Sequence, residues 1–220
     1  MKGDIIIIEE HHRKAAKAIA AEIYPIIKQH TGRYSITVAG ESGSGKSETA
    51  QAIADELNSY EITSIVLGQD DYFHFPPKLN DAKRRENRDW LGPHVEVNFP
   101  ALQKNIDDAL LGSSKLEKPT IDYNVAVIGN EEIDISDVKV IITEGTYTSL
   151  LKNIHTKIFI DRNRIDTLEH RKKRNRGNEV HDPFVEEILK TEHKIIAGHI
   201  FLSDLVITNE FNVEQRALSN

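Results

Sequence analysis

The sequence predicts an α/β protein, a three-layer αβα sandwich around a mostly parallel five-stranded sheet. Three observations carry that prediction. Short β-branched runs alternate with segments of helical apolar spacing, a glycine-rich loop joins the first run to a helix, and acidic residues recur directly after the runs. Strands alternating with helices imply parallel pairing, helices on both faces and ligands gathered at the carboxyl edge of the sheet.

The elements follow in order. Ala15, Ala18, Ile19, Ile23, Ile26 and Ile27 are spaced for an N-terminal helix over about 11–30 that ends near Thr31-Gly32. Its apolar face is expected to pack on the domain or on another subunit, which leaves a homo-oligomer open. Tyr34-Ser35-Ile36-Thr37-Val38-Ala39 reads as the first buried strand, Ser47 to Leu57 as a helix and Ile62 to Leu67 as the second strand. A charged, irregular stretch from Lys78 to Pro93 precedes a helix over about Pro100 to Leu111. Thr120 to Ile135 alternates around Gly129-Asn130, the signature of a hairpin turning there. Val138 to Thr143, Lys157 to Ile160 and Leu205 to Thr208 supply the third, fourth and fifth strands, with helices over Arg162 to Arg176 and Asp182 to His199 between the last two. Residues 1–220 thus read as a single domain with an insert at about 70–135 and a lid at about 170–182.

Bulk properties narrow the function. A chain of 220 residues suits one domain with a sizeable core. A net charge of −7 without a charged tail argues against nucleic acid or an anionic membrane as the main partner. The sequence has no cysteine, so disulfides, thiol chemistry and cysteine zinc sites are out, in keeping with a reducing compartment. No stretch approaches a membrane span, and Ile5 to Ile8 is too short for a signal-peptide core, so a soluble cytoplasmic protein is expected.

The chemistry begins at Gly40-Glu41-Ser42-Gly43-Ser44-Gly45-Lys46-Ser47, which satisfies GxxxxGKS between a strand and a helix. The glycines let the main chain curl around phosphate oxygens at a helix N-terminus, Lys46 supplies a point charge near the β and γ phosphates, and the Ser47 hydroxyl can ligate Mg²⁺. With Glu48 in the first helical turn, these residues form the candidate ATP site.

Asp70 and Asp71 follow the second strand, on the sheet edge that carries this loop. A carboxylate there can take the proton of an attacking hydroxyl and can hold Mg²⁺ through water, whereas a helix cap would serve structure alone. Glu144, at the carboxyl end of the third strand in Thr143-Glu144-Gly145, is the second acidic candidate for the metal. Arg171-Lys172-Lys173-Arg174-Asn175-Arg176-Gly177 breaks an otherwise acidic chain; it reads as a lid closing on a triphosphate or as a solvated helix face. Asp89 beside Trp90 can hydrogen-bond sugar hydroxyls or simply pack, and Tyr72, Phe73 and Tyr123 carry the same two readings. The histidines form no HxxxH or HExxH pair, so no zinc site is expected.

Taken in this order, the glycine-rich loop, Gln69-Asp70-Asp71-Tyr72-Phe73, Pro119-Thr120-Ile121-Asp122-Tyr123, Ile142-Thr143-Glu144-Gly145 and the arginine run resemble the uridine kinase and phosphoribulokinase family, from about Tyr34 to about Thr208. The resemblance implies ATP-dependent phosphorylation of a hydroxyl, with Asp70 as general base, Ser47 and Glu144 near Mg²⁺, and Arg171, Arg174 and Arg176 in the lid. It places Tyr72, Phe73, Asp89, Trp90, Asp122 and Tyr123 on the acceptor side. The chain departs from the uridine kinase pattern at Ile121, where those enzymes carry tyrosine, and Asn124 to Ile128 supplies neither their histidine nor their arginine.

The expected activity is transfer of the γ-phosphoryl of ATP to the 5′-hydroxyl of uridine or a related nucleoside. Nicotinamide riboside, pantothenate and a sugar phosphate are the alternative acceptors. Two other classes stand beside it. A guanine-nucleotide switch would carry an Asn-Lys-x-Asp run, which the chain lacks, and a regulatory nucleotide binder would have no need of Lys46, Ser47, Asp70 and Glu144 together.

Overall fold

The computed structural model describes residues 6–122, 126–168 and 182–216. Among them, six strands form one sheet. In chain order these are β1 (Tyr34–Gly40), β2 (Ser64–Gly68), β5 (Val140–Glu144), β6 (Thr156–Ile160), β7 (Leu205–Ile207) and β8 (Val213–Gln215), while β3 (Lys115–Asp122) and β4 (Val127–Asp134) pair separately as a hairpin. The sheet order is β2-β5-β1-β6-β7-β8. The five expected strands are all parallel, and the structure adds β8 antiparallel to β7 at the edge.

Every residue of β1 is buried, as its β-branched composition requires of a central strand. The two-residue period divides its side chains. Ile36 and Val38 join Val140, Ile142, Ile158, Ile160, Leu205 and Ile207 in one core beneath α1 (Glu10–Gln29) and α2 (Lys46–Ser59). On the opposite face Leu67 and Ile141 pack with Ala109, at the end of α4 (Phe99–Leu110), and with Leu116 of the hairpin. The N-terminal helix therefore buries its apolar stripe on this domain. His12, Ala15, Ala16, Ile19, Ile23 and Ile27 are buried, whereas Ile26 is 51% exposed.

Several boundaries differ from the sequence expectation. Residues 77–86, read as irregular, form α3 (Pro77–Glu86), with proline in the first turn and Lys83, Arg84 and Arg85 in the last, which suits the helix dipole. The hairpin does not turn at Gly129-Asn130. Those residues lie inside β4 opposite Thr120 and Pro119, and the chain reverses between Asp122 and Val127, where Ala126 donates to the Asp122 carbonyl at 2.9 Å. Residues 164–167, expected to be helical, form a turn closed by Thr167 N–H to Asn163 O; the rest of that expected helix lies largely outside the described residues. The last helix, α5 (Pro183–Ile196), is capped by the Asp182 side chain on Phe184 N–H.

Candidate active site

The register of the sheet brings three loops to one edge. Val38 pairs with Glu144 and Gly68 pairs with Glu144, so the glycine-rich loop after β1, the segment after β2 and the end of β5 lie side by side. Gly45, at the entry to α2, has φ +96°, and an added Cβ would stand 2.8 Å from His12 Nε2, so this position needs glycine on both conformational and steric grounds. Lys46 folds back and donates to the Glu41 carbonyl at 2.8 Å.

Glu144 is a strongly perturbed carboxyl of the edge. Burial, then the neighbouring Asp70 carboxylate, pushes its pKa up to about 7 against the opposing pull of Lys46 and a hydrogen bond from Ser47. Two close carboxylates and a hydroxyl make an all-oxygen donor set, and with the single lysine beside them negative charge is in surplus, which fits Mg²⁺; that ion keeps several waters and phosphate oxygens, so one or two carboxylates suffice. Among the described residues no three His, Cys, Asp or Glu stand together as a self-sufficient metal cage.

The two adjacent aspartates are separated in role by their surroundings. Asp71 is buried, accepts from Lys118 Nζ at 2.8 Å and from Ile121 N–H at 3.0 Å, and so ties the end of β2 to the hairpin. Asp70 is half-buried, makes no hydrogen bond or ion pair among the described residues, and faces Glu144. The preceding Gln69 fixes this geometry, since its Oε1 accepts from Tyr147 N–H at 2.9 Å. It also needs Gly145, with φ +157°, where an added Cβ would collide with the Gln69 side chain, whose Cδ lies 2.9 Å from that position.

The expected acceptor residues scatter. Tyr72 is a core residue, 1% exposed, with its hydroxyl donating to Asn105 Oδ1 at 2.7 Å, so it offers a ligand neither ring nor hydroxyl. Phe73 is half-buried and lies under Arg84, whose guanidinium is 5.9 Å from the ring. Asp89 is exposed, and Trp90 is half-buried with its indole N–H on Asn80 Oδ1 at 2.8 Å. Asp122 is half-buried at the end of β3. Tyr123, Arg171, Arg174 and Arg176 lie outside the described residues.

Two neighbours of the loop were not expected. Glu192 of α5, 4% exposed, accepts from Ser42 N–H at 2.8 Å and from the Ser42 hydroxyl at 2.9 Å, and the adjacent His193 meets the Glu41 carboxylate at 2.5 Å. Burial raises the Glu192 carboxyl above its ordinary value, against the opposing pull of Lys46 and the Ser42 bonds. One signal for Glu192 was in the sequence, because it falls in the apolar stripe of Phe184, Ile188, Leu189 and Ile196, where a charge has no packing role.

Comparison with known proteins decides the family. The family model described as "Phosphoribulokinase / Uridine kinase family" matches residues 35–182. The chain belongs to that family. Among the phosphoribulokinase and uridine kinase relatives, a uridine kinase from Ureaplasma parvum is 30% identical over 195 residues, covering 75% of this chain and 92% of that protein. A bifunctional alpha-galactosidase/sucrose kinase from Mediterraneibacter gnavus is 26% identical over 173 residues; the match covers 74% of this chain but only 18% of that longer protein. A candidate fructose transport system kinase from Silicibacter sp. TM1040 has the same fold, with a TM-score of 0.65 at 19% identity, covering 83% of this chain and 94% of that one. No helix among the described residues is long and apolar enough to cross a membrane.

Proposed function

We propose that this family member transfers the γ-phosphoryl group of ATP to a hydroxyl of a small molecule, with the 5′-hydroxyl of uridine or a related nucleoside as the first acceptor to consider. The observation that carries the reading is the division between the aspartates: Asp71 is fixed by Lys118, which leaves Asp70, without a hydrogen bond or ion pair among the described residues, beside Glu144 at the edge that carries the glycine-rich loop.

In this account the loop amides, from Gly40 to Glu48, hold the triphosphate, and Lys46 leaves the Glu41 carbonyl for the β and γ phosphates. Ser47 and Glu144 would hold Mg²⁺, with the Asp70 carboxylate beside them. The ion supplies charge neutralisation on the phosphates. Asp70 accepts the proton of the acceptor hydroxyl as its oxygen bonds to the γ phosphorus and the bond to the β-phosphate oxygen breaks, and ADP departs with the electron pair. The sequence resemblance assigns Arg171, Arg174 and Arg176, which lie outside the described residues, to neutralising charge on the transferring group. The sequence resemblance assigns Phe73, Asp89, Trp90 and Asp122, together with Tyr123 outside the described residues, to the acceptor. A soluble cytoplasmic setting accords with the ATP requirement.

A second reading, a sugar rather than a nucleoside as acceptor, is favoured by the altered hairpin at Ile121 and by the bifunctional alpha-galactosidase/sucrose kinase among the relatives. Mg-ATP-dependent ADP release across uridine, cytidine, fructose, sucrose, nicotinamide riboside and pantothenate, with the product weighed by mass spectrometry, tests both. Phosphorylated uridine or cytidine supports the first reading, a phosphorylated sugar the second, and ATP binding without transfer to any acceptor contradicts the proposal.

A further inference from the structure

The insert between β2 and β5 buries two cations, and both are neutralised within the chain. Lys118 is held by Asp71 at 2.8 Å and Glu131 at 2.9 Å. Arg84, on α3, places Nε and Nη2 at 2.8 and 2.6 Å from Glu96 Oε2. Glu96 is 0% exposed and has no spare capacity, since Asn80 also donates to Oε2 while Gly92 N–H and the Tyr147 hydroxyl donate to Oε1. Arg85 and Arg88 lie at the surface, paired with Asp182 and Glu187. A phosphate or carboxylate taken out of water needs a cation that is not already matched. Among the described residues the insert buries none, and the carboxyls of Glu144 and Glu192 both lie within electrostatic reach of Lys46, with Asp70 beside Glu144.

Arg84 nevertheless keeps one edge free. Its Nη1 has no partner among the described residues, and its side chain is 20% exposed. It lies over Phe73, three residues after Asp70, and within electrostatic reach of Glu192 and Tyr147. A guanidinium anchored along one edge by a buried carboxylate is a rigid, charge-balanced donor, suited to an uncharged oxygen.

We propose that Arg84 is an acceptor-binding residue that donates from Nη1 to a hydroxyl or carbonyl oxygen, and that the site takes polyhydroxylated acceptors free of anionic groups and rejects those bearing a phosphate or carboxylate. This rests on the phosphotransferase reading and narrows its acceptor, setting sugar phosphates and pantothenate aside.

The test uses the whole wild-type chain and matched acceptors: fructose with fructose 6-phosphate, ribose with ribose 5-phosphate, glycerol with glycerate, and uridine and cytidine as neutral nucleosides. The expected result is turnover of a neutral acceptor, with kcat/KM at least about 100-fold lower for its anionic partner. The double variant Arg84→Met/Glu96→Gln removes both charges together; it should raise KM for the neutral acceptor about tenfold while KM for ATP changes by less than about twofold, and Arg84→Lys should recover part of the loss. If the double variant fails to fold, the wild-type comparison decides. An anionic member outperforming its neutral partner overturns this inference and leaves the phosphotransferase reading standing. ADP release with none of them, while ATP still binds, removes both.

Discussion

Asp71 and Lys118 form an ion pair at 2.8 Å in which both side chains are less than a tenth exposed, joining the end of β2 to the hairpin. Removing Asp71 leaves the buried Lys118 with only the part-exposed carboxylate of Glu131 and takes the acceptor from the Ile121 N–H. Asp71→Ala should therefore cost about 2–4 kcal/mol in urea unfolding, whereas Asp70→Ala, at a site without a hydrogen-bond partner among the described residues, should change stability by less than about 1 kcal/mol. Equal losses for the two variants would mean that the division of roles between the aspartates is wrong.

Lys46 is the cation of the glycine-rich loop, and its hydrogen bond to the Glu41 carbonyl costs little to break. Lys46→Ala should weaken ATP binding about tenfold, reduce phosphoryl transfer by at least about a hundredfold, and leave the melting temperature nearly unchanged. Calorimetric titration with ATP and single-turnover transfer measure the two effects separately.

Gly145 tests how the edge is held. Gly145→Ala forces a side chain into a φ of +157° and against Gln69, whose amide positions the backbone beside Asp70. The expected loss is about 2–3 kcal/mol of stability, with turnover falling even in the folded fraction. A variant as stable and active as wild type would contradict the packing described.

Burial raises the Glu192 carboxyl, so the folded state favours its protonated form. The stability tied to that preference is fully present below the ordinary carboxyl value of 4.5 and is lost as pH rises through the folded pKa. Glu192→Gln cannot titrate and keeps an oxygen for Ser42. In urea melts without nucleotide the variant should gain on wild type as pH rises from 4.5 to neutrality, and a gap that stays constant with pH would count against the assignment.

Much of the fold was legible because the signals were local and redundant. β1 and β5 each carry a contiguous β-branched run, Ile36 to Val38 and Val140 to Thr143, α2 follows a loop whose pattern demands a helix, and Ala15, Ile19, Ile23 and Ile27 repeat at one helical spacing. The misreadings arose where local cues competed with pairing. Gly129-Asn130 is a strong turn signal, yet the register across to Pro119 and Thr120 carries it inside β4. Residues 77–86 looked irregular because the sole large aliphatic residue in that stretch, Leu79, is 54% exposed, so no apolar stripe marks α3. In the site, the motif residues were visible, whereas Arg84–Glu96 and Ser42–Glu192 join positions 12 and 150 residues apart, and no local pattern encodes such pairs.

The most direct measurement is Mg-ATP-dependent phosphorylation of the acceptor found in the panel, run side by side on wild type and Asp70→Asn, with ATP affinity determined for each. The account predicts that the variant binds ATP within about twofold of wild type and loses at least about a hundredfold in kcat, because the group that takes the acceptor proton has gone. Normal turnover by Asp70→Asn would remove Asp70 from the reaction and contradict the central claim.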